Sequence, residues 1–200
     1  MRHIFLALCF LLTIPAHAQD TLGTYRTTYS PESRVIRIIG MGKGREVPAP
    51  TATVYALAIS VDPQDCAPRH LYRGCFVVHK QELPELVKAL RIARTKLLYW
   101  NKIAAANRID SVYKEMDDYT SIVGELSFVY SKVGNRAEIL MYNGPRPVMF
   151  NKRDRKPTGI TISFATAEEI TEFINLINPV VVAKHFKKVS TGTDAPPSGF

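Results

Sequence analysis

Gly40-x-Gly42-x-Gly44, with Lys43 inside it, follows an apolar run and has the composition of a loop that cradles phosphate. That chemistry needs a helix to open directly after the glycines, so that its first amides face the anion. Here Arg45-Glu46-Val47-Pro48-Ala49-Pro50 follows, which opens no useful helix, and no Ser or Thr follows Lys43 to meet magnesium. The segment reads instead as a flexible or bulged strand end. Past the first 18 residues the histidines are His70, His79 and His185, and none falls in an HExxH spacing. His79 stands where a helix cap belongs, His70 sits between Arg69 and Arg73, and His185 lies among Lys184, Lys187 and Lys188, whose charges oppose a metal ion. GxSxG, CxxC and calcium-loop spacings do not occur.

The acidic pairs have structural places. Glu82 with Glu85, and Glu169 with Glu172, open helices where the helix dipole favours negative charge. Asp117-Asp118 precedes a strand and reads as a turn. No catalytic, cofactor or metal site is assigned on these residues. The concentrated charge is basic: Lys152, Arg153, Arg155 and Lys156 form a loop between strands, broken only by Asp154, and Lys184, Lys187 and Lys188 add to it. Summed electrostatics of this kind hold an anionic polymer or a membrane surface. A single-stranded nucleic acid also needs interleaved aromatics, and only Phe150 and Phe186 are near, so nucleic acid is not the expected partner.

Export frames these choices. Met1-Arg2-His3 is followed by an apolar run from Ile4 to Ile14, then Pro15 and Ala16-His17-Ala18. A charged start, a short apolar stretch and small residues at the cleavage positions are the parts of a signal peptide, cut after Ala18. A membrane anchor needs roughly 20 apolar residues, and this run is shorter. Cleavage carries off Cys9 and Arg2, so the net charge of +8 becomes +7 and two cysteines remain, Cys66 and Cys75. Paired cysteines in an oxidising compartment form a disulfide, whose short loop contributes roughly 2–3 kcal/mol. The expected organisation is a signal peptide over 1–18, one globular domain over 19–189 and a disordered tail over 190–200.

The residues that position all this read as α+β. Arg34 to Ile39, Thr53 to Val61, Cys75 to Val78 and Gly159 to Phe164 alternate as strands. In the second of these the small residues Ala56, Ala58 and Ser60 share a face that a helix could approach closely. Gly134-Asn135 separates Gly124 to Val133 from Arg136 to Tyr142 as a two-residue hairpin turn, which pairs Tyr130 with Ile139 and Phe128 with Met141. Helices are expected over about 82–107 and 167–178, the second opened by a capping box of Thr166 and Glu169. The first carries a narrower second stripe, Ile92, Tyr99 and Ile103, to be covered by the N-terminal segment or met by a partner. Val180 to Val189 suits a strand or a continued helix equally.

Glu82-Leu83-x-Glu85-Leu86-Val87 matches Glu169-Ile170-x-Glu172-Phe173-Ile174 at a spacing of 87 residues, which sets His79 opposite Thr166 and Val77 opposite Phe164. The match suits a strands-then-helix unit built twice, or two helix starts after strands that look alike by chance; with either, the expectation is an antiparallel sheet of about six to eight strands with two main helices on one face.

From Cys75 to about Pro179, the helix start at Glu82, the hairpin from Gly124 to Tyr142 and Ser163-Phe164 before Glu169-Ile170 resemble a loose group of uncharacterised exported bacterial proteins. Ile36 to Val61, with its Gly-x-Gly stretch and Pro50-Thr51-Ala52-Thr53, resembles the start of SIMPL-type periplasmic proteins, although Thr51 stands where that family carries Asp. The resemblances imply export and no particular activity. The expected function is an exported, non-catalytic binding or envelope-associated module. The alternatives are a peripheral binder of anionic polymer or lipid through the basic loop, and an enzyme whose site no motif reveals. Protein recovered after export should begin at Gln19, with an intact mass about two daltons below its reduced form; a start at Met1, or two free thiols, would contradict this reading.

Overall fold

The computed structural model describes residues 21–29, 33–42, 45–47, 52, 54–60, 75–116, 126–143 and 161–191. The expected signal peptide with its Ala18 site, Cys66, His70, Asp117-Asp118, the basic residues Lys152, Arg153, Arg155 and Lys156, and the stretch beyond Thr191 lie outside them. Strands β1 (Thr21–Tyr25), β2 (Arg34–Gly42), β3 (Arg45–Val47), β4 (Val54–Ser60) and β5 (Cys75–His79) precede helix α1 (Leu83–Ala106). Strands β6 (Ser111–Glu115), β7 (Leu126–Val133), β8 (Arg136–Asn143) and β9 (Thr161–Phe164) precede α2 (Ala167–Leu176) and α3 (Pro179–Thr191).

The class is α+β, and every strand pairing is antiparallel. The strands divide between two ladders. One runs β1-β2-β4-β5 with β3 attached to β2; the other runs β6-β7-β8-β9. Each half of the chain is thus a four-stranded meander followed by a helix. Leu83, Leu86, Val87 and Leu90 are buried in α1, as are Ile170, Phe173, Ile174 and Ile177 at the matching positions. The strands match at a different spacing. Val78, not Val77, joins the main core in β5, as Phe164 does in β9, so the step from the core-facing strand residue to the matching helix residue is one shorter in the first half, Val78 to Leu83 against Phe164 to Ile170.

A single hydrophobic core serves both ladders and the helices. Tyr55, Leu57 and Ile59 of β4, Phe128 and Tyr130 of β7, and Ile139 and Met141 of β8 enter it from their alternating positions. The small face of β4 is not the one the helices use. Ala56 and Ala58 lie on the opposite side, fully buried in a cluster with Ile39, Met41 and Val77. The bulky face meets the helices because larger side chains fill the space between layers.

Local signals account for the element ends. β2 continues through Gly42 and folds back into β3, pairing Gly40 with Val47 and Gly42 with Arg45, so the glycine stretch is a hairpin end and not a phosphate cradle. Gly134 takes φ +58° at the first turn position and fixes the β7–β8 register of Tyr130 against Ile139 and Phe128 against Met141. Pro84 sits in the first turn of α1, where its missing N–H leaves no helical bond unmade. His79 is not the side-chain cap of that helix. The Glu82 carboxylate instead reaches back and accepts from the His79 amide at 2.8 Å. Val180 to Val182 suit a strand by type, yet they open α3. Asn178 Oδ1 accepts from the Val180 amide at 2.9 Å, Pro179 holds the first position, and Val182 and Phe186 turn one face to the core. The helix continues through Ser190 and Thr191, which the sequence pattern assigns to the tail.

Candidate functional site

Two polar clusters and one groove gather residues that could do chemistry. The first cluster centres on Glu169. Its amide donates to Thr166 Oγ1 at 3.1 Å, and its Oε2 accepts from the Ala165 amide at 2.6 Å. The reciprocal bond therefore lands one residue earlier than a capping box implies. Glu169 Oε1 accepts from both the amide and the hydroxyl of Thr28, at 2.7 and 2.6 Å. Every lone pair so used ties the segment after β1 to the start of α2. Tyr25 donates its hydroxyl to the Glu169 carbonyl at 2.6 Å, and burial pushes that phenol well above its ordinary pKa. The carboxylate is a fastener.

The second cluster lies on the face of the β6–β9 ladder turned away from the helices. Glu138, 6 % exposed, accepts from Arg136 Nε and Nη2, both at 2.9 Å, and from the Ser163 hydroxyl. Arg136 also lies over the Tyr29 ring, 4.3 Å from its centroid. Its bond to Glu138 holds the guanidinium more firmly protonated. A serine donating to a carboxylate resembles an activated nucleophile, but a carboxylate clamped by a bidentate arginine is a poor base. Ser163 is also buried. This too is a lock.

The groove is different. Tyr99, Trp100, Ile103 and Ala104 from the end of α1, Ile109 and Val112 from the following turn and strand, and Lys114 and Tyr130 from β6 and β7 enclose about 220 Å³. The turn that closes it has a specific geometry. Arg108 takes φ +53°, its amide donates to the Ala105 carbonyl at 3.3 Å, and the Ile109 amide donates to the Ala104 carbonyl at 2.9 Å. That is a Schellman ending with arginine where glycine is usual, and it folds Ile109 back against Ala104. Trp100 is the chain's sole tryptophan and is almost buried, with its ring 5.2 Å from that of Tyr130. Tyr130 donates its hydroxyl to Asn101 Oδ1 at 2.9 Å, which fixes both rings, and burial raises its pKa. The ammoniums of Lys96 and Lys114 stand 5.6 and 5.3 Å from the Trp100 centroid. Among the described residues no carboxylate pairs with either lysine.

Tyr99 stays 56 % exposed on the rim, and its neighbour Leu98 is exposed too. The N-terminal strand does not cover them. β1 pairs with β2 and packs Tyr25 between Phe164 and Phe173. Ile92 and Ile103 of the same stripe pack partly against the core. The stripe was visible in the sequence as Ile92, Tyr99 and Ile103, but only the fold brings Lys114 and Tyr130 to it.

Of the sequence-derived site residues, Cys75 opens β5, while its expected partner Cys66 and the basic residues Lys152, Arg153, Arg155 and Lys156 fall outside the described residues. Among the described residues no three His, Cys, Asp or Glu side chains gather to hold a metal ion. No helix among them is long and apolar enough to cross a membrane. Comparison with protein-family models, with curated proteins and with solved structures returns no match.

The reading of Glu138 as a lock has a direct check. Arg136→Met leaves a buried carboxylate short of two donors and should lower the unfolding free energy in urea by about 1–3 kcal/mol. Arg136→Met combined with Glu138→Leu should recover most of that loss, because the pair is then replaced by apolar bulk. A double variant as weak as the single one would contradict the assignment.

Proposed function

We propose that this chain is an exported, non-catalytic binding module of the cell envelope, and that the Trp100 groove is where it binds. The observation that carries the reading is the groove itself. Its walls are apolar and aromatic, with Lys114 and the Tyr99 and Tyr130 hydroxyls among the polar groups of its lining side chains, and none of these pairs a nucleophile with a base. Surfaces of that kind hold a ligand rather than transform it. The lone tryptophan makes the test simple. A panel of single-ring aromatic compounds, neutral, anionic and cationic, is titrated while Trp100 emission is followed. At least one should shift the emission saturably, and Tyr99→Ala, which removes an exposed wall ring, should weaken that binding about three- to tenfold. A panel without any saturable response would remove the groove as a binding site.

A second reading is favoured by α3. Val180, Val181, Lys184, Lys187 and Lys188 fall on one side of its helical wheel, opposite Val182 and Phe186. Val180 and Val181 are exposed, and the helix carries no acidic residue. Such a face supports peripheral contact with an anionic lipid surface, with the loop of Lys152, Arg153, Arg155 and Lys156 adding to it. Co-sedimentation with phosphatidylglycerol vesicles should fall when Lys184, Lys187 and Lys188 become Ser, and again as salt rises. Retention equal to the unaltered protein's would dismiss this surface.

A further inference from the structure

We infer that the Trp100 groove selects a small amphipathic anion, a molecule with one flat apolar ring and an acidic head. The inference rests on the groove being a binding site and adds the class of ligand.

Size limits the apolar part. A cavity of roughly 150 Å³ holds a benzene, so about 220 Å³ takes one ring with a short chain and no more. Shape limits it further. Trp100 and Tyr130 meet at 53°, and Tyr99 stands at the rim, so a planar group can lie against one ring and edge onto another.

Charge fixes the head. Lys96 rises from α1 and Lys114 from β6, elements whose ends are joined by the turn at Arg108. Both ammoniums converge on one indole. Two like charges drawn to one ring repel each other, and the face of a tryptophan offsets that only in part. Elsewhere in this protein a charge near the core is matched: Arg136 by Glu138, the Glu169 carboxylate by three donors. Among the described residues no carboxylate pairs with Lys96 or Lys114, and Lys114 lines the groove, so a ligand carboxylate at its mouth meets that ammonium with the Lys96 ammonium over the same ring. A cation of the same shape meets the same pair as repulsion, and a neutral alcohol gains only a hydrogen bond.

Three matched probes separate the possibilities: 4-phenylbutyrate, 4-phenylbutan-1-ol and 4-phenylbutylamine, each titrated into the full exported chain with Trp100 emission as readout. The butyrate should bind most tightly, by about five- to thirty-fold over the alcohol, the margin that two partly exposed lysines provide. The amine should bind weakest. The advantage of butyrate over alcohol should shrink at high salt. Lys96→Gln with Lys114→Gln should erase most of the butyrate's advantage over the alcohol, the butyrate losing several times more affinity than the alcohol does, with thermal unfolding confirming an intact fold. Equal binding of all three probes would overturn the anion inference while leaving the groove as a binding site. Silence from all three would overturn both.

Discussion

Among the described residues the two ladders share no backbone pairing; besides the common core and the packing of α1 on α2, the contact between β1 and the start of α2 fastens the two halves. Tyr25 packs its ring 4.9 Å from Phe173 and 6.0 Å from Phe164, and its hydroxyl donates to the Glu169 carbonyl. Phe164 and Phe173 complete the triangle at 5.4 Å. Around it, Thr28 closes on the Glu169 carboxylate, and Arg34 Nη2 donates to the Thr161 carbonyl at 3.0 Å. Three buried rings and a saturated carboxylate therefore do what a continuous sheet would have done with main-chain bonds. Because the joint fixes α2 against β1 and β9, α1 can pack along α2 and reach over β7 and β8.

The groove is a consequence of that reach. At 1.5 Å per residue the 24 residues of α1 span roughly 36 Å. Its buried stripe runs from Leu83 through Leu97 to Trp100 and Ala104, so the last turns still face inward on one side. Tyr99 and Leu98 are left on the outside. The left-handed Arg108 then ends the helix sharply and sends the chain back as β6, an edge strand of its ladder. Where the helix end passes the edge strand, Tyr99, Trp100 and Tyr130 line a wedge of unfilled space among the described residues. Arg108 holds there a conformation that glycine would adopt at lower cost.

What was legible in the sequence follows from how local its causes are. The β7–β8 register depends on Gly134 and on alternation within two strands, both contiguous in the chain. The start of α2 depends on Thr166 and Glu169, three residues apart. The strands-then-helix order repeats because each half closes its own meander. The division into two ladders was not legible, because it depends on Tyr25 meeting residues some 140 positions away. The burial side of β4 was misjudged for a related reason. Both of its faces are covered, and alternation between bulky and small residues shows that two faces differ without showing which one a helix covers. In α3 the β-branched run left strand and helix equally open, and a start capped by Asn178 with Val182 and Phe186 packed inward decided for helix. Trp100 stood out as the single tryptophan, yet Lys114 and Tyr130 reach it only through the turn at Arg108 and the pairing of β6 with β7.

The distribution of matched and unmatched charge separates structure from binding in this protein. Near its core, carboxylates are matched by donors: Glu138 by a bidentate arginine and a serine, Glu169 by three donors, Glu82 by the amide of His79. Burying an unpaired charge costs several kcal/mol, so these matches are conditions for folding and carry no information about a ligand. Lys96 and Lys114 fall under a different constraint. Among the described residues no carboxylate pairs with either, and the attraction of the Trp100 ring for a cation is what holds each ammonium over it. On the proposed reading, an acidic ligand in the groove that Lys114 lines adds the opposite charge that the ring supplies only in part.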